Sequence, residues 1–158
     1  MKSMVVYYSY SGNTKKVAKV LIEALKAKGE VEELELIASD EVKSFFGQCA
    51  RALKHTRAQI KEVNFDLSKY DLICFGTPVW AFGPAPALNT YLDKCSGIQG
   101  KNVILFSTYG SGAGKVKCLD YAQKILHNKG AVGFKRFFIQ QADVDKKEFI
   151  INEIIKLI

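Results

Sequence analysis

Apolar runs of strand length alternate with stretches of helical periodicity from one end of this chain to the other, and that alternation restricts the fold more than any single residue does. Met4–Tyr8 is a continuous apolar and aromatic run, as suits a parallel strand covered on both faces. Helical spacing follows, with Val17, Val20, Leu21 and Leu25 on one face and Gly29 as the stop. Val31–Ile37 sets Leu34 and Leu36 against Glu33 and Glu35, which places that strand nearer an edge. Residues 39–62 open on a Ser39-Asp40 cap signal and read as helix with a break at Gly47. Tyr70–Phe75 reads as the third strand. A loop rich in proline and glycine comes next, and Pro84 and Pro86 suit the first turn of a helix with Leu88, Tyr91, Leu92 and Cys95 on one face. Val103–Phe106 is the fourth strand, ahead of a glycine-rich turn and a helix that runs to Asn128 and stops at Gly130. Val132–Ile139 is the fifth, and Asp145 with Glu148 forms a capping-box pattern for a last, isoleucine-rich helix. Strict alternation of strands and helices predicts an α/β fold, a parallel sheet with helices on both faces. Without a repeat, linker or low-complexity stretch, one domain over residues 1–158 is expected.

The hydrophobic fraction of 48% over 158 residues is enough for a substantial core. No apolar run approaches the ~20 residues that span a bilayer. Met1–Val5 leads directly into a strand pattern, with no signal-peptide h-region or cleavage site, so a cytoplasmic location is expected. Cys49, Cys74, Cys95 and Cys118 form no C-x-x-C pair, and only His55 and His127 could join them as soft ligands. This pattern does not support a zinc or dithiol site, and reduced, mostly buried thiols are expected. With a net charge of +7, lysines such as Lys15, Lys16, Lys19, Lys26 and Lys28 are spread over the outer faces of helices, and two regions concentrate charge. Residues 43–61 carry Lys43, Arg51, Lys54, Arg57 and Lys61 with no acid, and a later helix carries Lys115, Lys117, Lys124 and Lys129. Without an aromatic-rich basic strand motif the charge argues against nucleic acid. It leaves a solvated surface or a docking face for an acidic protein.

In an open parallel sheet, ligands bind beyond the carboxyl ends of the strands where the strand order reverses, so the loops after strands one, three and four carry the chemistry. The first reads Ser9-Tyr10-Ser11-Gly12-Asn13-Thr14. Unpaired N–H groups and the dipole at a helix start favour an anion, Gly12 permits a sharp turn, and the hydroxyl and amide side chains add donors. The same residues would also serve as a plain helix cap. The segment Gly110–Lys115 fails the dinucleotide motif, which needs glycine at Lys115. It also fails the P-loop motif, which needs glycine at Tyr109 and Ser or Thr at Val116. A loop whose backbone lies against a flat ring is the better use of those glycines. The third-strand loop, Gly76-Thr77-Pro78-Val79-Trp80-Ala81-Phe82-Gly83-Pro84, holds the only tryptophan and suits a planar aromatic ligand; packing of Trp80 and Phe82 on the next helix is the alternative.

Taken together, these loops resemble the flavodoxin family. Ser9–Thr14 is similar to its phosphate loop, Thr/Ser-x-Thr/Ser-Gly-x-Thr, while Gly76–Trp80 and Thr108–Gly112 resemble its third- and fourth-strand loops. The resemblance implies a three-layer α/β/α sandwich with a five-stranded parallel sheet in order 2-1-3-4-5, of the short-chain type, with FMN at its carboxyl edge. By position, Ser9, Tyr10, Ser11, Gly12, Asn13 and Thr14 would hold the phosphate. Thr77, Pro78, Val79, Trp80, Ala81 and Phe82 would line one side of the flavin ring, with Trp80 the best stacking candidate. Thr108, Tyr109, Gly110 and Gly112 would line its pyrimidine end, Tyr109 serving as a second aromatic wall. An electron-transfer role between redox partner proteins, or toward a small electron acceptor, is the first expectation. An FMN-dependent NAD(P)H:quinone-type oxidoreductase is the second, and a flavin-free binding module on the same fold the third. The basic charge departs from the acidic character of many family members and puts their usual partners in question.

Overall fold

Parallel strands cannot be joined by tight turns, so each strand hands the chain to a crossover that must cover one face of the sheet. The computed structural model describes all residues except 41–43, 45, 46, 48, 52 and 53. Its strands are β1 (Lys2–Tyr8), β2 (Glu30–Leu36), β3 (Leu72–Pro78), β4 (Asn102–Tyr109) and β5 (Gly133–Gln140). They pair in parallel in the order β2-β1-β3-β4-β5, the three-layer arrangement expected. The helices named here are α1 (Asn13–Lys26), α2 (Pro86–Lys94), α3 (Lys115–Asn128) and α4 (Lys147–Ile155). Alternate residues of the central strands feed two apolar layers. Val5, Tyr7, Ile104 and Phe106 pack with α1 and α4, whereas Met4, Val6, Phe75 and Leu105 pack with α2 and α3. Full burial of one such aliphatic or aromatic side chain is worth roughly 1.5–3 kcal/mol.

Several boundaries differ from the sequence reading. β3 continues through Gly76, Thr77 and Pro78, and β4 continues through Ser107, Thr108 and Tyr109. Pro78 is tolerated because pairing with β1 ends at Gly76, so its missing N–H removes no ladder bond on that side. Gly76 is needed where it stands, since a Cβ there would lie 2.1 Å from Cζ of Phe106. The expected helix over 39–62 lies partly outside the described residues, Lys43 among those omitted; its last stretch is not helical. Ala38 bridges Ile60 in antiparallel fashion, and the Lys61 amide donates to the Ile37 carbonyl. The Asp40 carboxylate has two partners among the described residues. It accepts from the Gln59 amide at 2.9 Å and from Arg51 Nη2 at 2.8 Å, clamping the two limbs of this excursion. The capping box also fails: α4 begins at Lys147 without a side-chain cap, and Asp145 instead accepts from Lys16 Nζ at 2.6 Å. Pro86 holds the first turn of α2, but Pro84 stands outside it.

Cys74, Cys95 and Cys118 are buried, Cys49 is half-buried, and all four are free thiols. Burial pushes the Cys95 thiol up to about 11 and raises those of Cys74 and Cys118 as well. Among the described residues, no helix is long and apolar enough to cross a membrane.

Two outcomes test this packing. Gly76→Ala forces the Phe106 ring out of its stack on Phe137 and should cost roughly 1–3 kcal/mol. The measurement is a lower urea midpoint at unchanged slope; an unchanged midpoint would mean the ring yields freely. At the amino-terminal edge, hydrogen bonds from Tyr70, Lys2 and Lys69 hold the Glu32 carboxyl at about 2, below its ordinary 4.5. Because the folded value is depressed, the stabilisation is present above pH 4.5 and is lost as pH falls toward 2. Glu32→Gln should therefore flatten the acid limb of a stability-against-pH curve in that window.

Candidate functional site

The strand order reverses between β1 and β3, and three loops meet beyond their carboxyl ends. In the first, β1 passes through Ser9–Gly12 into α1. Gly12 stands at the N-cap with φ +89° and offers no side-chain cap itself, so the capping bond to the first turn comes from Ser9. Space beyond Gly12 is open, with nothing within 4 Å of where a Cβ would sit. Ser9 Oγ accepts the Lys15 amide at 3.2 Å, which tightens the turn. Thr14 is buried, and its hydroxyl is 2.8 Å from that of Thr108, tying the start of α1 to the end of β4. The result is a glycine-lipped pocket at a helix start, an arrangement that favours an anion without needing a cation.

The third-strand loop closes with a tight turn. Trp80 and Gly83 exchange both backbone hydrogen bonds, at 3.0 and 2.9 Å, around Ala81 at φ +44° and Phe82 at φ +69°. Two positive φ values in a two-residue hairpin are the signature of a type I′ turn, which normally takes Asn-Gly. Placing Ala and Phe there costs on the order of 1–2 kcal/mol per residue. The strain positions two rings. Trp80 is buried and meets Tyr8 and Tyr10 edge-on, with centroids 5.7 and 5.5 Å away. Phe82 is 49% exposed and lies over Gly114, where a Cβ would come within 2.3 Å of the Phe82 ring. The turn is thereby locked against the start of α3.

A cavity of about 340 Å³ lies between Tyr10, Ser11, Asn13 and Thr14 on one side and Pro78, Val79 and Trp80 on another. Thr108, Tyr109 and Gly110 complete its wall. A second cavity of about 210 Å³ continues from it between Val79, Ala81 and Phe82 and the loop Tyr109–Ala113, which includes Gly112. The two share Val79, Tyr109, Gly110 and Ser111, and together they fall in the size range of small-molecule sites, roughly 300–1,000 Å³. Ser9, Gly12 and Thr77 lie outside both linings. Thr77 is buried, accepting the Ala85 amide and donating to the Pro78 carbonyl, so its hydroxyl is occupied in shaping the loop. Ser111, within the Thr108–Gly112 loop, also lines the cavity, and so does Gln141, which the sequence reading missed. The signal was available, because Gln141 follows the fifth strand at the same sheet edge. A larger cavity, about 520 Å³, lies at the opposite edge among Met1, Leu72, Phe134 and Ile158. It lacks a helix N-terminus and converging loops, so size alone does not make it the site.

A doubly wound α/β protein with a helix-start anion pocket beside aromatic loops is defined by this geometry. The family profile described as flavodoxin matches residues 2–129, and the chain belongs to that family. Among solved structures it is similar to a flavoprotein in complex with FMN from Lactobacillus acidophilus, at 25% identity and TM-score 0.65, covering 93% of this chain and 98% of the other. A flavoprotein from Bacteroides uniformis aligns at 22% identity and TM-score 0.72, over 96% of this chain and 97% of that one. The apo form of an NADH:FMN oxidoreductase aligns at 20% identity and TM-score 0.63, over 100% and 91%. No curated protein matches the sequence.

Asparagine tolerates the left-handed conformation better than alanine. Ala81→Asn should therefore raise stability by about 1 kcal/mol, read as a higher urea midpoint, where a relaxed turn would give no gain.

Proposed function

We propose that this protein binds one FMN at the carboxyl edge of the sheet and serves as an electron carrier of the flavodoxin type. The observation that carries the reading is the convergence of three loops on one cavity. Ser11, Asn13 and Thr14 line it at the helix start just beyond the left-handed Gly12, and the rings of Tyr10, Trp80 and Tyr109 lie alongside. That donor set fits a phosphate monoester, and the slot between residues 79–82 and 109–113 fits the edge of a flat ring. The FMN-bound structure to which the chain is similar supports the same cofactor.

FMN supplies the one- and two-electron chemistry when bound. Ser11, Asn13 and Thr14, with the first amides of α1, hold the phosphate through hydrogen bonds and the helix dipole. Thr108 fixes Thr14 and so sets the depth of that pocket. Val79, Trp80, Phe82 and Tyr109 exclude water from the ring, and Gly110 and Gly112 let the backbone approach it. In this reading no side chain exchanges a proton with a substrate.

The purified protein should be yellow, or turn yellow on addition of FMN, binding one equivalent as followed by flavin fluorescence. Thr14→Val should weaken FMN roughly tenfold, the loss of about one hydrogen bond. A protein that takes up no flavin would overturn the reading. A carrier should not turn over NADH; sustained NADH oxidation would assign the chain to the reductase class instead.

A further inference from the structure

We infer that the open rim of this site is a docking face for an acidic protein. Lysines are not alike across the molecule. Facing β2 and the first half of α1 they are matched: Lys15 with Glu35 and Lys19 with Glu33, each at 2.6 Å, Lys147 with Glu23 at 2.6 Å, and Lys2 and Lys69 with Glu32 at 2.9 and 3.0 Å, whereas Lys26 and Lys28 at the far end of α1 have no carboxylate within ion-pair distance among the described residues. Beside the site the pattern reverses. Lys115, Lys117 and Lys124 on α3 have no carboxylate within ion-pair distance among the described residues, and the one acid on that helix, Asp120, is taken by Arg136 at 2.6 Å. Lys115 Nζ instead lies 4.4 Å from the Tyr109 ring centroid and Lys117 Nζ 5.8 Å from that of Phe82, both rings belonging to the site.

The same rim exposes apolar surface. Phe82 is 49% exposed, Val116 51% and Tyr10 40%, and Phe82 is held outward by the strained turn. An apolar centre flanked by unpaired charge of one sign is the anatomy of a transient protein interface. Helical spacing places Lys117 and Lys124, seven residues apart, on one side of α3. Carboxylates on the partner would meet them while its apolar surface covers Phe82. A second copy of this chain would bring lysine against lysine, and a nucleic acid would leave Phe82 and Val116 without an apolar counterpart. Only the placement beside an electron-exchanging centre rests on the FMN reading; the charge pattern does not.

The probe is cytochrome b5, an acidic haem protein, titrated calorimetrically into the full chain with and without FMN. Binding should weaken at least roughly tenfold between low salt and physiological salt. Lys117→Glu with Lys124→Glu should abolish it. Lys26→Glu with Lys28→Glu makes the same charge change at the far end of α1, about 20 Å away, and should alter it less than twofold. Equal losses from both pairs would reduce the effect to net charge and overturn the proposal. So would equal binding of basic cytochrome c, or displacement by a short DNA duplex. Cytochrome b5 binding by a chain that takes up no FMN would uphold the docking face while the cofactor reading fails.

Discussion

Right-handed crossovers force the connection leaving β1 to one side of the sheet and the connection leaving β3 to the other. Between those two strands a cavity opens at the carboxyl edge, and the loops of the site are arranged around it. It receives the N-terminus of α1, which follows β1 directly. It also receives the loops after β3 and β4, because both strands run on past the end of β1's pairing. Thr14 and Thr108 join across it, so the pocket depth follows from the register of the sheet rather than from loop conformation.

Much of this was legible in sequence, because the informative patterns were long. Five apolar runs separated by helical periodicity specify the layers whatever the exact ends, and Gly12 between β1 and α1 marks the left-handed turn into the helix. The ends were not legible, for identifiable reasons. Gly76 and Pro78 are strand breakers by propensity, yet Gly76 is required by the Phe106 ring and Pro78 sits where one ladder has already stopped. Asp145 has the composition of a helix cap, but its carboxylate found a partner distant in sequence, Lys16. Nothing in Ala81-Phe82 announces a type I′ turn, because the residues are the wrong ones for it. Local propensity lost in each case to a contact made by the whole fold.

That turn and the lysines of α3 are the two places where this chain departs from what stability alone would select. A strained turn holds Phe82 over Gly114 and half in solvent, and the lysines nearby have been left without the carboxylates that neutralise those around β2. Phe82 lines the cavity, and Lys115 and Lys117 lie against the rings of Tyr109 and Phe82. Strain and uncompensated charge collected at a single edge are what function, rather than packing, would retain.

The central claim is that a phosphate is held at the start of α1 by amides and hydroxyls. The most direct measurement compares equilibrium binding of FMN with that of riboflavin, which has the same ring and no phosphate. The account predicts that FMN binds at least roughly a hundredfold more tightly, because the phosphate meets several charge-assisted hydrogen bonds worth about 1.5–3 kcal/mol each. Equal affinity for the two would contradict it, placing the binding energy in the aromatic slot and leaving the Gly12 pocket without a ligand.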